Sequence, residues 1–215
     1  MAKKSKISLK QIITTVLILL LVIAMGFSTK YVSGANVNAL DDGVQEKLDS
    51  KAFADKFYDS QIVPYIQKNA ADFAEVDKAI VVDPLAAGEK YGHRDGPNAA
   101  YSVPVKFTAT AGEYKGDVLE ITVDGVSTQS YLQVGPALNG TAIRDVSGLV
   151  NFGMFTNQLA YQDAGTKLND KVRELVLKGI DPAKLKGKKL NVVGAFSLFN
   201  PKIHMVVPIS LEVVG

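Results

Sequence analysis

YSVPVKFTATAGEYKGDVLEITVDGVSTQSYLQV, Tyr101–Val134, carries the pattern on which the fold turns. Apolar residues alternate with polar ones along YSVPVKFTAT at Val103, Val105 and Phe107. They alternate again over Gly116–Val123 and over Ser127–Val134. A period of two is the mark of half-buried strands. Asp124-Gly125 between the second and third runs is hairpin-turn chemistry, and Gly135-Pro136 ends the third. Three meandering strands are therefore expected here.

Downstream, the period lengthens. A short helical piece is expected near Thr141–Ser147. A long helix is expected from Met154 to Leu177, with Phe155, Leu159, Leu168, Val172, Leu175 and Val176 as its apolar stripe. Asp181-Pro182 stops it. KGKKLNVVGAFSLF (Lys186–Phe199) and IHMVVPISLEVV (Ile203–Val214) read as two closing strands, with Pro208 marking an edge or a bulge. The order β-β-β-α-β-β is that of a five-stranded OB-like barrel. Gly116, Gly125, Gly135 and Gly194 offer corners for closure, and an open α+β sheet with the same elements is the alternative. Upstream, Val44, Leu48, Phe53, Phe57, Ile62 and Ile66 recur at helical spacing, with Asp41 or Asp42 as cap and Pro64 as an interruption. A second helix is expected over Ala70–Ile80, one further turn over Leu85–Glu89, and a loop over YGHRDGPN (residues 91–98). The fold class is thus α+β, with residues 1–30 as a membrane segment, 31–98 as linker and helices, and 99–215 as the barrel.

The N-terminus states an address. MAKKSKISLK is basic, and QIITTVLILLLVIAMGFST (Gln11–Thr29) carries no charge. A helix over that stretch would reach ~28 Å, close to the thickness of the hydrocarbon core. Its apolar run exceeds a usual cleavable signal, which favours an uncleaved single-pass signal-anchor over cleavage before Ala35. The N-terminal Lys residues stay cytoplasmic and the body lies outside the cell membrane. Residues 1–30 hold five Lys and no acid, leaving 19 basic against 22 acidic residues in the rest. That mildly acidic body has no Trp, which argues against nucleic acid as a partner; the Lys184, Lys186, Lys188 and Lys189 cluster reads as a solvated turn. With no Cys, the chain has no disulfide, thiolate metal site, Cys nucleophile or lipidated Cys.

Three patches resemble an uncharacterised bacterial family, domain of unknown function 2291: DPLAAGEKYGHR (Asp83–Arg94), GPALNGTAIRD (Gly135–Asp145) followed by FTNQ (Phe155–Gln158), and KGKKLNVVGAF (Lys186–Phe196). The resemblance implies an exported, membrane-attached protein. It also implies, by association, an accessory role beside a sugar-type ABC transport system, with transporter components or a small sugar-like solute as partners. Some members carry a lipidated Cys after the signal, which this chain lacks.

The polar residues inside these patches form the candidate binding site: Tyr91, Arg94, Thr141, Arg144, Asp145, Asn157 and Gln158. An Arg fork and an Asp acceptor could hold a polyol or a carboxylate. Equally, Arg144 and Asp145 could fix the short helix, and Thr156 or Asn157 could cap the long one while Phe152 and Phe155 enter the core. An exported enzyme built on Tyr91, Arg94, Arg144 and Asp145 is the alternative function. No nucleophile elbow, P-loop or dinucleotide fingerprint is present, and His93 and His204 stand at no ligand spacing. No catalytic residue, metal or cofactor is assigned. His204 is expected at the rim of the last strand.

Overall fold

The computed structural model describes Lys10, Thr15 and residues 47–214. The expected membrane helix, the linker and the Asp41/Asp42 cap lie outside the described residues. Among those described, no helix is long and apolar enough to cross a membrane. Residues 1–44 and 45–215 form two separate units. Lys10 and Thr15 are helical, and everything below concerns the second unit.

That unit opens with α1 (Ser50–Phe57), capped by the Asp49 carboxylate, which accepts from the Ala52 N–H at 2.7 Å. A π-helical turn (Tyr58–Ile62) leads into α2 (Val63–Asn69), placing Pro64 in a first turn where its missing N–H costs nothing. Phe53, Ile62 and Ile66 are buried, as their spacing requires. The helix expected from Ala70 begins later. Ala71–Asp72 (β1) instead pairs in parallel with Val105–Lys106, because the Asp72 side chain takes the N–H groups of Ala74 and Glu75 and so starts α3 (Phe73–Val82). Asp83 does the same for α4 (Pro84–Tyr91). That helix is two turns long rather than one, so Tyr91 ends a helix and does not open a loop.

The barrel strands are β2 (Tyr101–Lys115), β3 (Val118–Val123), β4 (Gln129–Gln133), β5 (Lys189–Leu198) and β6 (Ile203–Val214). Their spatial order is β2-β3-β4-β6-β5, and β2 pairs back onto β5 from Tyr101–Leu198 to Thr110–Lys189. The sheet is therefore closed, and the open-sheet alternative is excluded. All barrel pairs are antiparallel except β4 with β6. Pro208 sits at a bulge, where the β5–β6 register slips between Val193 and Gly194. A Cβ on Gly194 would run into the Val207 carbonyl oxygen, so only glycine lets the two strands meet there.

Between β4 and β5 lie α5 (Ala142–Asp145), a 3-10 turn (Phe152–Met154), α6 (Gln158–Val172) and a π-helical turn (Arg173–Leu177). The single helix expected over Met154–Leu177 is thus three pieces. Asn157 caps α6, its side chain accepting from the Ala160 N–H at 2.9 Å. Phe155 is buried as expected, but Phe152 is exposed. Leu159 and Leu175, expected in the stripe, are exposed, since the helix turns Ala164, Leu168 and Val172 inward. His204, expected at the rim, is fully buried: β6 points it into the core against Phe73 and Phe196.

Candidate functional site

The loop from Gly135 to α5 is built by buried amides. The Gln133 side chain accepts from the Asn139 N–H at 2.6 Å and donates to the Asn139 carbonyl at 3.1 Å. Asn169 of α6, also buried, donates to the carbonyls of Leu138 and Gly140. These bonds present Thr141, Arg144 and Asp145 on one side of α5.

There the three residues join. Arg144 is buried. Its Nε donates to Asp145 Oδ1 at 2.6 Å, its Nη2 to Asp145 Oδ2 at 3.1 Å, and its Nη1 to the Tyr161 carbonyl at 3.1 Å. Asp145 Oδ2 also accepts from Thr141 Oγ1 at 2.6 Å. The guanidinium carbon stacks 4.1 Å from the centre of the Tyr161 ring. Tyr161 donates its hydroxyl to Asp95 at 2.7 Å. Burial first, and then this bond, push the phenol up to about 12. His93 Nδ1 reaches the Asp145 carbonyl at 2.9 Å, which makes it the protonated nitrogen. Gly148, at φ +65°, passes close under the His93 ring. Adjacent residues on a helix point about 100° apart, yet Arg144 and Asp145 pair with each other because the long Arg side chain bends back to its neighbour.

Arg94, Tyr91 and Asn157 make contacts of their own, apart from this network. Arg94 donates to the Pro97 carbonyl at 3.1 Å and stacks on Tyr101, within the loop that delivers Asp95. Asn157 and Gln158 stand four and three residues before Tyr161, on its side of α6. Tyr91 ends α4 under the Lys90 ammonium. Tyr161, Asp95 and His93, which complete the network, were not among the sequence candidates. Their partners lie 17, 66 and 52 residues away, and no short-range pattern reports such pairings.

A second feature was not among the sequence candidates. A cavity of about 370 Å³ opens between the same loop and the β5–β6 turn, lined by Asn139, Gly140, Ala142, Ser197, Phe199 and Asn200, with Gln133, Ile203 and Met205. No charged side chain lines it. GPALNGTAIRD therefore serves two purposes: Asn139, Gly140 and Ala142 wall the cavity, while Thr141, Arg144 and Asp145 tie α5 to α6.

Where α3 meets the β3–β4 turn, the buried Asp77 accepts from the Ser127 N–H at 2.7 Å, from Ser127 Oγ at 3.0 Å and from Thr128 Oγ1. Burial pushes its pKa up, but these bonds outweigh it and hold the carboxyl below its ordinary value. His204 Nε2 lies 3.4 Å from Asp77, beyond good bonding geometry, and neither ring nitrogen has a hydrogen-bond partner. Burial holds the imidazole below its ordinary value, with Asp77 opposing. This cluster joins α3 to the barrel; among the described residues no group of acids and histidines could hold a metal.

The closed strand order, with its one parallel barrel pair and a helix before β5, defines an OB-fold protein. A solved OB-fold protein from Thermotoga maritima superposes with a TM-score of 0.64 at 19% identity, covering 78% of this chain and 99% of its own. Residues 17–212 match the family described as predicted periplasmic lipoprotein (DUF2291), and the chain belongs to that family. No curated protein matches the chain. The family description makes the protein an extracytoplasmic, membrane-attached one, although these 215 residues contain no Cys to carry a lipid.

Proposed function

We propose that the protein is a non-catalytic binding module, held outside the cell membrane by an uncleaved Gln11–Thr29 anchor, that serves a sugar-type ABC transport system. Its partners are transporter components or a small sugar-like solute. Tyr91, Arg94, Thr141, Arg144, Asp145, Asn157 and Gln158 form its contact region, with Arg144 and Asp145 bracing from behind and Arg94, Asn157 and Gln158 at the outer edge.

One observation carries the proposal against an enzyme. The groups best suited to catalysis are spent on each other: three Arg144 N–H groups are bonded, and both Asp145 oxygens are taken. The test is co-purification of the full chain, in mild detergent, with the permease and solute-binding protein of a sugar-type ABC system co-expressed with it. Arg94→Glu and the pair Asn157→Ala with Gln158→Ala should weaken the association while leaving the circular dichroism spectrum unchanged. Undiminished association in both variants refutes the contact region. A chain recovered only in soluble form, shortened to start near Ala35, refutes the anchor.

A further inference from the structure

Three large apolar side chains converge where folding gives them nothing to do. Phe199 is 77% exposed in the turn after β5, and Ile203 and Met205 are exposed on the outward face of β6, while their strand neighbours His204 and Val206 fill the core. All three line the cavity of about 370 Å³. A strand with apolar residues on both faces, beside an exposed aromatic, marks a surface kept apolar for contact.

The polar atoms around it are all uncharged. The Asn139 side-chain amide has no hydrogen-bond partner among the described residues, because Gln133 holds only its backbone. Asn200 uses its Oδ1 on the Lys202 N–H, leaving its N–H₂ group available. Ser197 Oγ makes only a long 3.5 Å contact to Ser102. The complement is therefore two amides and a hydroxyl around an apolar wall.

We propose that this cavity binds a small uncharged cyclic polyol, of monosaccharide size, stacked through its C–H face on Phe199 and Met205. The proposal rests on the binding-module reading above and gives it a solute site. Size sets the first limit: at about 30 Å³ per water, the cavity holds roughly a dozen waters, enough for one sugar ring together with the waters on its outer hydroxyls. Charge sets the second: an anion would enter without a counter-charge and lose its hydration. The half-open shape sets the third. It leaves the outer hydroxyls in water while the apolar face is covered, whereas an acyl chain in the same place would stay half wet. Asn139 and Asn200 would meet hydroxyls at the ring edge.

The experiment uses the full chain in detergent with ¹³C-methyl methionine. Met205 reports the cavity, and Met154, which does not line it, is the internal control. Glucose, galactose, xylose, ribose and myo-inositol are titrated beside glucuronate as the charged counterpart. At least one neutral probe should shift the Met205 methyl saturably, spare Met154, and outcompete glucuronate. Phe199→Ala should weaken that probe about tenfold, the loss of one ring stack, and Asn139→Ala should weaken it less. Both side chains are exposed, so the barrel survives either change. The proposal falls if no neutral probe moves Met205, if glucuronate binds equally, or if Phe199→Ala binds like the parent. A shift with a short apolar peptide from the co-purified partner, but with no sugar, overturns it in favour of a protein-docking pocket. If association with transport components persists while Met205 is silent, the cavity assignment fails and the accessory role stands. If both are absent, both fail.

Discussion

Arg144→Ala is the sharpest test of how α5 is held. The substitution removes a buried cation that makes two bonds to Asp145, one to the Tyr161 carbonyl, and a stack on the Tyr161 ring. Asp145 is left with the Thr141 hydroxyl alone on its side-chain oxygens. Breaking one side of such a pair costs about 3–5 kcal/mol. A domain of this size has about 5–15 kcal/mol in all. With a urea slope of about 2 kcal/mol per M, the midpoint should fall by about 2 M. Arg144→Lys keeps the charge but loses the fork and the stack, and should fall by about half as much. Asp145→Asn combined with Arg144→Met should recover part of the loss, because no lone charge stays buried. Urea titration followed by far-ultraviolet circular dichroism reads all of these without needing a Trp. An Arg144→Ala midpoint within about 0.3 M of the parent would refute the bracing role and return the guanidinium to the list of ligand-contacting groups.

Other outcomes follow from other parts of the molecule. His204 titrates below its ordinary value when folded, so below about pH 6.5 the unfolded chain takes up a proton that the native one refuses; stability should fall with pH there, by up to about 1.4 kcal/mol per unit. His204→Phe should flatten that part of a urea-midpoint profile measured from pH 8 to 5; an unchanged slope assigns it to other groups. The Asp77 carboxyl, held low, adds its own loss only below about pH 4. Gly148→Ala forces a side chain into a left-handed backbone at φ +65° and places a Cβ 2.6 Å from His93 Nε2; it should destabilise by about 2 kcal/mol or more in the same assay. Asn169→Ala strips the Leu138 and Gly140 carbonyls of a buried donor and should cost about 1–3 kcal/mol, with faster amide exchange over residues 138–141. In an ultraviolet titration of the parent protein, Tyr161 should ionise near pH 12, and Asp95→Asn should lower that value.

The strands were legible because one face of each is buried. Phe107, Ala109, Leu119 and Ile121 alternate with exposed or half-buried positions, and a period of two survives in a single sequence, although both faces are buried over residues 102–105. Helix ends were less so. α1, α3, α4 and α6 are each opened by a side-chain cap, Asp49, Asp72, Asp83 and Asn157, and several Asp and Asn compete for that place in the sequence. Leu159 and Leu175 were misplaced because a helix tolerates apolar residues outside its buried stripe. The candidate residues Thr141, Arg144 and Asp145 do meet, since they share one turn of helix. Tyr161 and Asp95 were hidden, because a ring stack or a hydroxyl bond across 66 residues leaves no local trace. The cavity did leave one: Ile203 and Met205 flank His204 on a strand whose other face was already apolar, and Phe199 stands in a turn, where an aromatic residue has no core to enter.

Barrel closure also bears on the order of events when the chain folds. The β2–β5 seam joins residues roughly 80–100 apart, and β6 bonds to both β4 and β5. The first needs β5 and the second needs β6, so the barrel cannot close before its C-terminal strands have emerged, and the chain cannot fold to completion from its N-terminal part. Non-local pairing of this kind is slow. For a protein that must cross a membrane before it works, that delay is an advantage: the polypeptide stays threadable until its final strand has been delivered, and the fold locks only on the far side.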